Sequence, residues 1–144
     1  MKTIIDTDAL LGLARPDDPH HEEAETVLMA LTKRNADIFL LPTTLSEFSL
    51  LATSRVGMIT TKQMVGKFLA APYVILPILE ELVAAAYAFY EQQTSKEESL
   101  FDCFVMAQAK ALFVDCIFSF DRGYRKNGFI LAIDAIKNQT DPVV

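Results

Sequence analysis

The chain has 144 residues, 51% of them hydrophobic, so residues 1–144 are predicted to form a single domain with a sizeable core. The net charge of -6 argues against a protein that binds nucleic acid through a large basic face, so any such contact must be local. The N-terminus shows no secretory signal, and charged residues interrupt the longest low-charge stretch, residues 100–118, so we expect a cytoplasmic protein without a membrane span.

Apolar runs alternate with segments of helical periodicity along the chain. The predicted elements of the first half are a strand at Lys2–Asp6, helices at Ala9–Ala14 and Pro19–Arg34, a strand at Ile38–Leu41, and helices at Thr44–Arg55 and Thr61–Ala70. Those of the second half are a strand at Tyr73–Leu76, helices at Glu80–Gln93 and Leu100–Leu112, the latter capped by Ser99, a strand at Cys116–Ser119 and a candidate fifth strand at Phe129–Ile133. Because the strands are continuously apolar and alternate with helices, the pattern predicts an α/β fold, a three-layer α/β/α sandwich around a central parallel sheet of four to five strands.

Four carboxylates fall where these elements meet one edge of the predicted sheet. Asp6 and Asp121 follow strands directly, and Glu47 and Asp102 fall in the first turns of their predicted helices. A helix that leaves the carboxyl edge of one parallel strand starts at that same edge, where ligands of such folds bind. The four acids are therefore expected to meet, and close carboxylates need a cation such as a divalent metal ion.

Each of these acids also has an ordinary structural explanation. Asp6 could end a strand and cap the following turn, and Thr44-Leu-Ser-Glu47 matches a capping box, in which Glu47 bonds back to the cap amide. Asp102 could complement the dipole of its helix, and Asp121 could begin a turn before Gly123. Their joint occurrence at one predicted edge favours a site over four separate explanations.

Four segments carry a resemblance to a known family. They are IIDTDALL (residues 4–11), the pair Ser46-Glu47, FDCFVMAQA (residues 101–109) and FSFDRGY (residues 118–124). In this order and spacing they resemble the PIN-domain ribonucleases, and within them the chain is most similar to the VapC-type toxins of bacterial and archaeal toxin-antitoxin pairs. The resemblance extends from Lys2 to about Ile133.

This resemblance implies a site and an activity. Asp6, Glu47, Asp102 and Asp121 would be the catalytic and metal-binding acidic quartet, with Thr7 and Ser119 in support. The family often has Asn or Ser where this chain has Asp8, so Asp8 would be a fifth acid near the metal. The implied reaction is hydrolysis of RNA phosphodiester bonds with Mg²⁺, for which Mn²⁺ should substitute, by the toxin of a type II pair. A cognate antitoxin and a homodimer are the implied protein partners.

Substrate would have to approach an acidic protein through local bases. The bases we consider are Lys33, Arg34, Arg55, Arg122, Arg125 and Lys126, and Arg122 and Arg125 are the predicted substrate-binding residues because they border Asp121. The pair His20-His21 is interpreted as structural, since adjacent residues on a helix point about 100° apart and cannot readily share a ligand.

Two other classes of function remain open from the sequence. A phosphatase of the haloacid-dehalogenase type also begins with a strand ending in Asp-x-Asp, and Asp6 would then be its nucleophile; that family usually has Thr where this chain has Leu10. A non-catalytic module that binds a partner protein is the other alternative, either an inactive PIN-like domain or a receiver-like domain with an acidic pocket.

Overall fold

The structure, a computed structural model, describes residues 1–138, so the last six residues of the predicted 1–144 domain lie outside the described residues. The strands are β1 (Lys2–Ile5), β2 (Asp37–Leu40), β3 (Val74–Ile75) and β4 (Cys116–Phe118). The helices are α1 (Thr7–Ala14), α2 (His21–Lys33), α3 (Pro42–Val56), α4 (Met58–Ala70), α5 (Glu80–Glu91), α6 (Leu100–Leu112), α7 (Gly123–Lys126) and α8 (Ala132–Lys137).

The four strands form one parallel sheet in the order β3-β2-β1-β4. Ile4 in the central strand lies opposite Phe39 on one side and Ile117 on the other. All three residues of β4 are buried, as are the last three of β1, because helices cover the sheet. The predicted α/β/α architecture is confirmed, and β1 places its carboxyl end between those of β2 and β4.

The predicted fifth strand, Phe129–Ile133, is wrong. Only Leu131 pairs with the sheet, through an isolated parallel bridge to Ile117, and the Ile117 N–H donates to the Ile130 carbonyl at 2.8 Å. Leu131 then serves as the N-cap residue of α8, which begins at Ala132. An apolar run that is this short does not distinguish a strand from the start of a buried helix.

Four helix starts also differ from the prediction, because α2 begins at His21 and α4 at Met58, and the other two lie at the carboxyl edge of the sheet. Helix α1 begins at Thr7, directly after Asp6, and α3 begins at Pro42 with Leu41 as its N-cap residue. Proline is favoured in the first turn of a helix because its missing N–H would have no helical partner there. In residues 1–138, no helix combines the length and apolar character needed to cross a membrane.

Candidate active site

The carboxylate of Asp6 lies at the centre of the carboxyl edge of the sheet. Its backbone N–H donates to the Phe118 carbonyl at 3.0 Å, which continues the pairing of β1 with β4. Asp6 occupies the N-cap position of α1 in an extended conformation, and it is only 5% exposed. The strand end and the helix start therefore hold this acid in the interior, next to the end of β4.

Ser119 connects Asp6 to Asp8. Its Oγ lies 3.2 Å from Asp6 Oδ2 and 3.0 Å from Asp8 Oδ2, and the Asp121 N–H donates to the same Oγ at 3.1 Å. Asp8 Oδ2 also accepts from the Phe120 N–H at 2.8 Å. The other oxygen, Asp8 Oδ1, is buried and has no hydrogen-bond partner among residues 1–138. A buried carboxylate oxygen without a donor is costly unless a cation or water satisfies it.

Glu47 does not form the capping box that is the ordinary structural alternative for it. Since α3 begins at Pro42, Thr44 is the third residue of the helix and Glu47 the sixth, beyond the first turn. The half-buried Glu47 carboxylate instead lies within electrostatic range of Asp102 and Asp8, and the Thr7 hydroxyl donates toward it. The same hydroxyl also lies 3.4 Å from the Thr44 carbonyl oxygen. Glu47 and Thr7 thus lie beside the other acids, with no capping role for Glu47.

Asp102 is the acid that does cap a helix. Its Oδ2 accepts from the Ser99 N–H at 2.7 Å, while the Asp102 N–H donates to Ser99 Oγ at 3.4 Å, which completes a capping box at the start of α6. Its Oδ1 faces the site, 3.4 Å from the Tyr124 hydroxyl. One carboxylate therefore fixes the helix start with one oxygen and presents the other to the acidic cluster.

Asp121 is more exposed than the other acids of the cluster. Its Oδ1 accepts from the Gly123 N–H at 2.7 Å, so it also makes the turn that was considered for it from the sequence. Its charge nevertheless contributes to the raised pKa of Asp8 and of Asp102. Asp121 can therefore accept the hydrogen bond of the turn and also act electrostatically on the other acids of the cluster.

Tyr124 belongs to the cluster although the sequence did not single it out. The residue is 2% exposed, and its phenol donates to Asp6 Oδ2 at 2.8 Å. It follows the turn at Asp121 in a segment with two glycines and three bases, which is typical of a surface loop. No periodicity in that segment indicates that a tyrosine turns inward there.

Burial, followed by repulsion between the acids, raises the pKa values of four acids of the cluster. Burial raises the pKa of Asp6 well above 3.8, and the charges of Asp8 and Asp102 raise it further. Burial is also the largest cause of the raised pKa of Asp8, of Glu47 and of Asp102. Acids that resist ionisation in this way are stabilised by a nearby positive charge.

The donor set fits a hard divalent cation. Every side chain of the cluster offers oxygen, the ligand that Mg²⁺ prefers, and the buried Asp8 Oδ1 accepts no hydrogen bond within the described part of the chain. Among residues 1–138, no group of three or more histidine, cysteine, aspartate or glutamate side chains is arranged so that it could hold a metal ion. Mg²⁺ does not require one, because it usually takes one or two carboxylates and keeps several waters.

The predicted bases lie in different places. Arg122 is exposed and adjacent to Asp121 in sequence, and its role in substrate binding stays a prediction. Arg125 instead forms a bidentate ion pair with Asp134 of α8, in which Nε lies 2.8 Å from Oδ2 and Nη2 lies 2.9 Å from Oδ1, so its charge is already paired. Arg34 lines a pocket with Met1 and Asp115, which precede β1 and β4, and so lies at the opposite edge of the sheet. The expectation that Arg34 helps at this site is therefore wrong.

The two histidines make separate contacts, in agreement with their structural interpretation. His21 Nδ1 lies 2.7 Å from the Gly12 carbonyl oxygen, between α1 and α2. The ring of His20 stacks on Phe120 with centroids 4.3 Å apart. His20 and His21 therefore do not converge on one ligand.

Comparisons with known proteins agree with this fold. No curated protein matches the chain. VapC20 from Mycobacterium tuberculosis, a sarcin-ricin loop cleaving toxin, resembles it with a TM-score of 0.78 and 17% sequence identity, over 89% of this chain and 96% of that chain. VapBC2 from Rickettsia felis, bound to a promoter DNA fragment, has a TM-score of 0.70 and 14% identity, over 91% of this chain and 97% of that chain. FitAcB from Neisseria gonorrhoeae has a TM-score of 0.59 and 20% identity, over 92% of this chain and 93% of that chain. At these identities the likeness concerns the fold. The model of the PIN domain family matches residues 3–130, a range that includes all five clustered acids and Tyr124, and the chain therefore belongs to the PIN domain family.

Proposed function

We propose that this protein is a divalent-metal-dependent endoribonuclease that acts as the toxin of a type II toxin-antitoxin pair. The observation that carries the proposal is the convergence of Asp6, Asp8, Glu47, Asp102 and Asp121 at one edge of the sheet, in a chain of the PIN domain family. The toxin role rests on the resemblance to VapC-type proteins, and VapC20, a sarcin-ricin loop cleaving toxin, has a similar fold.

The residues have distinct roles in the proposed reaction. Asp6, Asp102 and Glu47, together with Asp8 Oδ1 and the exposed Asp121, would hold Mg²⁺ or Mn²⁺. A bound ion of this kind activates water and neutralises charge on a phosphate. Ser119 orients Asp6 and Asp8 through its hydroxyl. Thr7 supports Glu47, and Arg122 beside Asp121 would bind a phosphate of the RNA backbone.

Two surfaces are suited to the proposed protein partners. A groove of about 600 Å³ between α2 and α4 is lined by apolar side chains that include Leu28, Met29 and Phe68. Lys33 and Lys67 also line this groove, and we propose that it binds an amphipathic segment of the antitoxin.

On α5, Val83, Tyr87 and Tyr90 are spaced along one face and are 46%, 56% and 47% exposed, which suits a homodimer contact. A toxin with cellular RNA as its substrate would act in the cytoplasm.

The direct test is cleavage of a panel of transfer and messenger RNAs by antitoxin-free protein, with Mg²⁺ and with EDTA. The parent protein should cut at least one RNA only when the metal is present, and Asp102→Asn should be inactive. Asp37→Asn, at an exposed acid that begins β2, is the matched control and should cut like the parent. If the parent leaves the whole panel intact with either Mg²⁺ or Mn²⁺, the non-catalytic partner-binding module becomes the better account.

The phosphatase alternative has its own test. In that mechanism Asp6 attacks the phosphate, so a fluoride analogue of a phosphoryl group should be trapped on Asp6. The match to the PIN domain family over residues 3–130 favours the nuclease, and we expect no trapping.

A further inference from the structure

The phenol of Tyr124 lies between two carboxylates of the proposed metal site. Tyr124 belongs to α7, a single helical turn that follows Asp121, and its ring is almost fully buried. The hydroxyl oxygen is 2.8 Å from Asp6 Oδ2 and 3.4 Å from Asp102 Oδ1. A short turn therefore brings a neutral donor into the acidic cluster.

The distances decide which carboxylate receives the hydrogen. A phenol has one hydrogen to donate, and 2.8 Å is an ordinary O–H···O length whereas 3.4 Å is long. The hydroxyl therefore donates to Asp6 Oδ2. Ser119 Oγ lies 3.2 Å from the same oxygen but 3.0 Å from Asp8 Oδ2, and it also has one hydrogen, so Tyr124 makes the shorter hydrogen bond to Asp6.

Asp102 is held from its other side. Its Oδ2 is engaged by the Ser99 N–H at the start of α6, which turns Oδ1 toward Tyr124. The phenol thus separates Asp6, anchored to β1 and β4, from Asp102, anchored to α6. The charge of Asp102 contributes to the raised pKa of Asp6, so the two acids repel each other, and removal of the phenol would take away the 2.8 Å hydrogen bond that holds Asp6 Oδ2.

We propose that Tyr124 is a positioning residue of the metal site, which holds the Asp6 and Asp102 carboxylates in the arrangement that a divalent cation needs. The inference rests on the proposed metal-dependent function. Residues that orient the ligands of a metal commonly change its affinity by about 10–100-fold when they are removed. Because Phe keeps the aromatic ring and removes only the hydroxyl, Tyr124→Phe separates this role from simple packing.

The measurement is Mn²⁺ binding to the antitoxin-free protein without RNA, followed by the loss of the electron paramagnetic resonance signal of free Mn²⁺. Tyr124→Phe should bind Mn²⁺ about tenfold more weakly than the parent, which corresponds to about 1.4 kcal/mol. Tyr73→Phe is the matched control, since Tyr73 is half-buried on a different part of the fold against Phe68, and its affinity should equal that of the parent. The Mg²⁺ concentration that gives half of the maximal melting shift should rise in the same proportion.

The outcomes separate this inference from the function on which it rests. A purely structural role would lower the melting temperature of metal-free Tyr124→Phe and leave its Mn²⁺ affinity unchanged, which would overturn the inference while the metal site stands. If the parent itself does not bind Mn²⁺, both the metal site and the inference fail. Should Tyr124→Phe fold poorly, 4-fluorophenylalanine at position 124 fills the space of the hydroxyl without donating, and it should show the same loss of affinity.

Discussion

Among the acids of the cluster, Asp6 is the one that the fold buries most completely. Burial, Asp8 and Asp102 all raise its pKa, and the hydrogen bond from Tyr124 only partly offsets them. Asp6 therefore destabilises the metal-free protein whenever it is ionised. The residue is retained at a cost in stability, which is the behaviour expected of a functional group rather than of a cap.

The first prediction concerns Asp6→Asn. Without metal, this variant should melt a few degrees higher than the parent, equivalent to about 1 kcal/mol, because a buried charge is removed while the amide oxygen can still accept from Tyr124. It should not cleave RNA and should gain little stability from Mg²⁺. Thermal melting with EDTA and with Mg²⁺ measures this, with Asp37→Asn as the control for the same chemical change at an exposed acid. Equal Mg²⁺-induced shifts in parent and variant would contradict the prediction.

A second prediction separates Glu47 from the capping role that its sequence context suggested. Since Glu47 lies beyond the first turn of α3, Glu47→Gln should leave the metal-free melting temperature unchanged or slightly raised. Cleavage should fall by about 100-fold or more, because a carboxylate beside the metal is lost. A clear drop in metal-free stability would instead indicate a structural role for Glu47.

At the scale of elements, the start of α6 links helix stability to the site. Ser99 and Asp102 satisfy each other's backbone N–H groups, so Asp102 contributes to the helix with Oδ2 and to the cluster with Oδ1. The two contributions can be separated, because Asn keeps a side-chain acceptor for the Ser99 N–H and Ala does not.

The third prediction follows from this division. Both Asp102→Asn and Asp102→Ala should abolish cleavage, but metal-free Asp102→Ala should be about 1 kcal/mol less stable than Asp102→Asn. Urea unfolding of the two variants in EDTA gives the difference. Equal stabilities would mean that the capping box contributes nothing to the folded protein.

The elements differ in how well their sequences determine them. Helix α6 was predicted with its observed ends, because Ser99 is a favoured cap and the helix is long and apolar. The sequence predicts a later start for α3, because Thr44-Leu-Ser-Glu47 matches a capping box, although Pro42 is the better start signal. The run Phe129–Ile133 does not distinguish a strand from a helix start, because a short apolar run has no period of its own.

The same reasoning explains what could be predicted of the site. The order of strands and helices placed Asp6, Asp102 and Asp121 at one edge, since parallel strands end at a common edge of the sheet. Neither the inward turn of Tyr124 nor the pairing of Arg125 with Asp134 could be predicted, because both depend on how α7 and α8 pack after β4. Local sequence carries little information about such packing.

For the whole molecule, the raised pKa values determine how stability depends on pH. A folded protein whose acid has a raised pKa binds its proton more tightly than the unfolded chain does, so unfolding free energy falls as pH rises above the ordinary value of 3.8 for Asp. The stabilisation that the bound proton gives the folded protein is fully present below pH 3.8, and it is lost as the pH rises through the raised pKa of the acid.

The fourth prediction uses this sign. In EDTA, the parent should lose stability relative to Asp6→Asn as pH rises from about 4 to about 8, because only the parent has the buried Asp6 carboxylate to ionise. With saturating Mg²⁺ the trend should reverse, since the metal requires ionised carboxylates. Denaturant unfolding of both proteins across this range checks it, and a difference that does not change with pH in EDTA would contradict it.

The last prediction concerns the proposed homodimer. Val83, Tyr87 and Tyr90 lie at spacings of four and three residues, so they form one apolar stripe along α5, and each is about half exposed in the single chain. In a two-fold dimer Tyr87→Glu would place two unpaired charges in the contact, so the variant should be monomeric by size-exclusion chromatography with light scattering at concentrations where the parent is dimeric.

Met29→Glu on α2 is the control for this prediction. Met29 is 58% exposed in the groove assigned to the antitoxin, so the Met29→Glu variant should remain dimeric. A parent that is monomeric, or a Tyr87→Glu variant that still dimerises, excludes this face of α5 as the dimer contact. Because the acids lie at the carboxyl edge of the sheet, monomeric Tyr87→Glu should still bind Mn²⁺, which separates assembly from the metal site.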